Sequence, residues 1–106
     1  MTPAKARELA LALAGAVEKP HHGLTSFRLP GIKGPIFATM TPDGAELRVF
    51  IKDEGSRDAW IAREAGAVEP LLWGGRRCGV KVWLARARPA WVEELLAEAW
   101  RDLGGA

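Results

Sequence analysis

The chain has 106 residues, 48% of them apolar and 26% charged, with a formal net charge of +2. That length fits one compact domain, that mixture excludes a disordered or low-complexity chain, and so small a net charge leaves any polyanion binding to the local placement of cations. A single cysteine, Cys78, excludes an internal disulfide and suits a reducing cytoplasm, and no apolar run has the length of a membrane span or the layout of a signal peptide.

The first predicted element is a helix. Thr2 can cap it, Pro3 suits its first position, and Ala4 to Ala14 are strong helix formers with Ala6, Leu9, Ala12 and Leu13 on one side. Gly15 is its stop signal, and Val17 to Thr25 reads as a connector broken by Pro20 and Gly23. Strands are predicted over Ser26 to Leu29, Ile36 to Met40 and Glu46 to Lys52. A loop at Pro30 to Pro35 and a Thr41-Pro42-Asp43-Gly44 turn separate them. In the third strand Leu47, Val49 and Ile51 alternate with Arg48, Phe50 and Lys52, so one set faces a core and the other faces away.

Ser56 can cap a second helix over Arg57 to Ala65, ended by Gly66. Its narrow apolar stripe, with Trp60 and Ile61, predicts a place at an edge of the fold. Val68 to Leu72 is a fourth strand interrupted by Pro70. Trp73-Gly-Gly-Arg-Arg is a basic, glycine-rich turn leading to a fifth strand at Val80 to Ala85, which sends Lys81 and Trp83 away from Val80, Val82 and Leu84. The last helix runs from Pro89 to Leu103, with Trp91, Leu95, Leu96, Ala99 and Trp100 on its apolar side, and Gly104 to Ala106 are expected to fray. The order α-β-β-β-α-β-β-α with hairpin-length links predicts a single α+β domain spanning residues 1–106, with a mostly antiparallel sheet and helices on one face.

Three segments carry a resemblance to the MmcQ/YjbR family of small bacterial proteins. They are Pro20-His21-His22-Gly23-Leu24-Thr25-Ser26-Phe27-Arg28 with Ile36-Phe37-Ala38-Thr39, the Trp73-Gly74-Gly75-Arg76-Arg77 turn, and the closing helix with Trp91, Leu95, Leu96, Ala99 and Trp100. The resemblance covers about Leu9 to Leu103. It implies a secretion-chaperone-like fold and a DNA-binding label that rests on a double-wing surface. The chain departs from the family pattern at His22, Gly79 and Trp83 and in its longer Pro30 to Pro35 loop.

The residues themselves point to a basic and aromatic sheet face. Arg28, Arg48, Lys52, Lys81 and Trp83 on outward strand positions, with Arg76 and Arg77 on the turn, would contact phosphates while rings stack on bases. This gives nucleic-acid binding, to DNA or RNA, as the leading expectation. The alternative is a non-enzymatic protein-interaction or small-ligand module using the same face or a groove beside Trp73, in a monomer or weak homodimer. Enzyme readings find little support: Gly-x-x-x-x-Gly-Lys-Ser/Thr and Gly-x-Ser-x-Gly are absent, and a Cys78 thiolate favoured by Arg76 and Arg77 would still need a base such as His21. Adjacent His21 and His22 point apart in an extended segment, with no further ligand at metal-site spacing, so no metal and no cofactor is expected.

Overall fold

The computed structural model describes residues 1–31 and 33–105. Helix α1, Pro3–Leu11, starts as its sequence dictates: Thr2 Oγ1 accepts the Lys5 amide at 3.1 Å and Pro3 occupies the first turn. It ends at Leu11, earlier than the run of helix formers. Its buried residues are Ala6 and Ala10, small side chains one turn apart that pack towards the last helix.

The segment expected to be a connector is strand β1, Val17–His21. It pairs antiparallel with β2, Leu24–Arg28, through a two-residue turn at His22 (φ 48°) and Gly23 (φ 80°). Pro20 hid it, because a proline lowers any strand reading; β1 is an edge strand, where the missing N–H leaves no ladder bond unmade. Strands β3, Ile36–Met40, and β4, Glu46–Phe50, follow as predicted. In their Thr41–Gly44 turn, Asp43 Oδ1 accepts the Ala45 amide at 3.0 Å and the Thr41 hydroxyl at 2.7 Å, which holds the Asp43 carboxyl below its ordinary range. The β2–β3 loop contains Ile32, which lies outside the described residues.

Helix α2, Glu54–Arg63, begins earlier than Ser56 predicts. Asp53 is the cap, accepting the Ser56 amide at 2.8 Å, and the Ser56 hydroxyl instead donates to Glu98. Helix α2 lies at the edge of the fold as expected, and Trp60 ties it to the core: the ring is buried, its indole N–H donates to Glu98 at 3.2 Å, and it lies 6.2 Å from Trp91. One aromatic side chain thus anchors a helix whose apolar stripe is narrow. Strand β5, Val68–Trp73, and β6, Arg76–Trp83, join through Gly74 (φ 58°) and Gly75 (φ 80°). Both central residues of that turn need positive φ, which explains the glycine pair. The strand therefore begins at Arg76, four residues before Val80, and Leu84–Arg86 is a short 3-10 turn.

Helix α3, Pro89–Asp102, matches its apolar pattern. Its end does not fray at Gly104 and Gly105. The Gly104 amide donates to the Arg101 carbonyl at 2.9 Å and that of Gly105 to the Trp100 carbonyl at 3.0 Å, a Schellman arrangement that satisfies two otherwise unpaired carbonyls. Ala106 lies outside the described residues.

The six strands form one antiparallel sheet in the order β1-β2-β3-β4-β6-β5. Pro70 lies on the opposite edge from Pro20, so a proline stands in each edge strand and blunts further strand addition. Register aligns Phe27, Ala38, Val49 and Val80 in one buried row and Met40, Leu47, Val82 and Val68 in the next. The three α-helices cover this side: α1 packs on α3, α3 on β3 and β4, and α2 on β5 and β6. The architecture is the α+β arrangement expected, with one additional edge strand. Among the described residues, no helix is long and apolar enough to cross a membrane.

Candidate functional site

Alternation along the strands sends the remaining side chains to the face that carries no helix. There, the register aligns Lys19, Ser26, Thr39, Arg48, Lys81 and Glu69 in a polar row running across all the strands. Apolar residues flank it. A register shift between Phe27 and Arg28 pairs Arg28 with Ile36, so Ile36 reaches the open face while Phe37 and Ala38 are both fully buried. A second shift, between Leu71 and Leu72, sets Leu71 opposite Gly79 and Leu72 opposite Arg77, leaving Cys78 unpaired and turned to the open face. Such shifts re-aim side chains without breaking the sheet.

The result is a basin of about 670 Å³ lined only by strand residues and the His22 turn. Ile36, Phe50, Leu71 and Leu72 supply apolar surface, and Thr39, Arg48, Lys81 and Glu46 supply polar groups. His21 and His22 line it from the β1 side and Trp73 from the β5 side. Trp73 is 78% exposed and Leu72 60%, far more than any other large apolar side chain described. The volume and the mixture of apolar lining with a few polar groups fit a small-molecule site.

Gly79 keeps this part of the sheet closely packed. A Cβ there would stand 2.0 Å from the Val49 carbonyl oxygen and 2.9 Å from the Phe50 Cα. Only a residue without a side chain lets β4 and β6 approach as they do.

The polar groups of the face are partly committed to one another. Arg28 Nε donates to Ser26 Oγ at 3.0 Å, Ser26 Oγ donates to the Lys19 carbonyl at 2.6 Å, and Arg28 Nη2 lies 3.5 Å from His21 Nδ1. Arg48 donates from Nε and Nη2 to one Glu46 oxygen, at 3.2 and 3.1 Å. Lys81 Nζ sits 5.0 Å from the centre of the Trp83 ring, and the Trp83 indole N–H donates to Glu69. Thr39 is 3% exposed, and its Oγ1 is one of two buried side-chain polar atoms without a hydrogen-bond partner among the described residues.

Of the seven side chains expected to meet nucleic acid, Arg28, Arg48, Lys81 and Trp83 share the open face. The other three do not join them. Arg76 stands exposed at the end of the β5–β6 hairpin. Arg77 turns to the helical side, where its guanidinium meets Asp58 of α2 at 3.3 Å. Lys52 lies beyond the last paired residue of β4, in the link to α2, and its carbonyl accepts from Arg57 at 2.7 Å. The alternation that sends Lys52 outward ends with the strand, and the shift at Leu71/Leu72 turns Arg77 over. His21, Ile36, Thr39 and Leu71 belong to the basin and were not in the expected set. Thr39 carried a signal, as the one polar residue in Ile-Phe-Ala-Thr-Met; His21 was hidden because β1 read as a connector.

The neighbourhood of Cys78 also differs from expectation. Its Sγ approaches the Leu71 carbonyl at 3.8 Å, and burial pushes the thiol above its ordinary pKa, outweighing a smaller lowering from its own backbone and from Arg57. The arginines beside it in sequence do not activate it: Arg77 is drawn away to Asp58. Among the described residues, no group of three or more His, Cys, Asp or Glu is placed to hold a metal ion.

No family model matches the chain, and no curated protein matches it either. Among solved structures it is similar to the Deinococcus radiodurans protein DR2400, a domain of the family model DUF419, with a TM-score of 0.75 and 16% identity. The match covers 99% of this chain and 94% of that one. At that identity the likeness concerns the fold.

Proposed function

We propose that the domain is a non-enzymatic binding module whose ligand occupies the basin on the open sheet face. The observation that carries this reading is the basin itself: about 670 Å³ on the side the helices leave bare, with an apolar lining around a short polar row. Burial raises the pKa of the Cys78 thiol in the lining, which works against its use as a nucleophile. The experiment is a titration of isotopically labelled protein with an uncharged aromatic probe, phenylnaphthylamine, followed by amide chemical shifts. Shifts centred on Thr39, Arg48, Phe50 and Leu71 are expected, and shifts confined to the helical side would overturn the reading.

Nucleic-acid binding is the second reading. It draws on Arg28, Arg76 and Lys81, which have no carboxylate partner within salt-bridge distance among the described residues, and on the exposed Trp73 opposite Arg76. A labelled oligothymidylate would bind more weakly as salt rises, and Arg76→Ala would reduce the salt slope by about one contact. Absence of binding at low salt would remove it. We infer further that the chain is a divergent, cytoplasmic member of the MmcQ/YjbR family. The DUF419 fold likeness and the Ser26-Phe27-Arg28, Phe37-Ala38-Thr39 and Trp73–Arg77 segments support this.

A further inference from the structure

We infer that the centre of the polar row is an oxyanion subsite: Thr39, Arg48 and Lys81 receive the carboxylate, sulfonate or phosphate of a small organic anion whose apolar body lies on Ile36, Phe50 and Leu71. This rests on the reading of the basin as a ligand site and specifies which chemistry enters it.

The first observation is the Thr39 hydroxyl. It lines the basin, it is 3% exposed, and its oxygen has no partner among the described residues. Buried hydroxyls are nearly always hydrogen-bonded, so an orphan at the floor of a cavity marks a bond completed by the occupant. Its neighbours are engaged elsewhere and leave it unpartnered among the described residues. Ser26, beside it on β2, already donates to the Lys19 carbonyl and accepts from Arg28. Arg48, beside it on β4, directs Nε and Nη2 at Glu46.

The second observation is the pair of cations next in the row. Arg48 and Lys81 are directly opposed on β4 and β6, a like-charge pair that Glu46, bonded to Arg48, and Glu69, opposite Lys81, offset in part and that a further anion would stabilise. Glu46 occupies one edge of the Arg48 guanidinium, which leaves Nη1 without a hydrogen bond among the described residues. Lys81 has no carboxylate within salt-bridge distance among the described residues. A hydroxyl donor and two cations at successive cross-strand positions match an anionic group of two or three oxygens, and charge-assisted bonds are the strong ones. The flanking Ile36, Phe50 and Leu71 then require that the anion carry an apolar body.

The test uses two fluorescent probes of similar apolar shape, the anionic anilinonaphthalene sulfonate and the uncharged phenylnaphthylamine, titrated into the intact chain and into Thr39→Val and Arg48→Gln. The unaltered protein is expected to bind the sulfonate about tenfold more tightly than the amine, and each substitution to weaken the sulfonate by roughly three- to tenfold while leaving the amine unchanged. Lys81→Met, at a half-buried position on the face, repeats the measurement should either of the first two fail to fold. Sulfonate affinity untouched by these substitutions would overturn the subsite while leaving the basin a ligand site. Failure of both probes to bind the unaltered protein would overturn the basin reading as well.

Discussion

One residue's step along each strand separates two rows of very different character. Phe27, Ala38, Val49 and Val80 form a row on the covered face and are all completely buried under the helices. Ser26, Thr39, Arg48 and Lys81, each one residue away, form the row on the open face and hold hydroxyls and cations in the same register. The same backbone ladder positions both, so the rigidity that the first row provides also pre-sets the second. A one-residue slip would exchange the two sets, and the buried row makes such a slip costly. Stability and binding therefore divide by face, and substitutions on the two faces should have separable effects.

The largest effect belongs to the covered face. Phe27→Ala removes a fully buried ring and should cost about 3–5 kcal/mol by urea unfolding; a loss comparable to a surface change would break the division. Gly79→Ala places a methyl group against the Val49 carbonyl and should cost about 1–3 kcal/mol, with exchange-protection losses along β4 and β6. On the open face Arg48→Gln should change stability by no more than about 1 kcal/mol, since its pair with Glu46 is partly solvated. Smaller still, Thr39→Val removes an unpartnered hydroxyl at nearly constant volume, and thermal unfolding should show stability unchanged or raised, by at most about 1 kcal/mol. A marked destabilisation would mean that Thr39 holds the sheet together instead of waiting for a ligand.

Cys78 sharpens the comparison through its reactivity. Its folded-state pKa is raised by burial, so the thiolate fraction near neutral pH is lower than that of an ordinary thiol. Alkylation of the native protein should be slow at neutral pH and accelerate only above the ordinary thiol range. Fast reaction at neutral pH would reopen a Cys78-based activity.

Much of this was legible in the chain. Thr2-Pro3 and Pro89 mark helix starts, Leu47-Arg48-Val49 and Val80-Lys81-Val82 show the alternation that separates the faces, and Gly74-Gly75 announces a turn with positive φ. These are local signals, set by capping, side-chain period and backbone sterics within a few residues. Outward positions for Arg28, Arg48, Lys81 and Trp83 on their own strands followed from them.

Other features depended on neighbours distant in sequence. β1 is a strand because β2 folds back on it, despite Pro20. Trp60 is buried because Trp91 and Glu98 meet it from α3. Arg77 leaves the expected cationic patch because of a register shift and the presence of Asp58. The open basin and the unpartnered Thr39 exist only once five strand pairings are in place. By itself the sequence determined the α+β class, most strand and helix positions, and which residues alternate between faces, because those follow from local period and turn chemistry. Tertiary structure alone decided which cations share a surface and which buried hydroxyl is left without a partner, because register and helix packing are set by contacts between segments far apart in the chain.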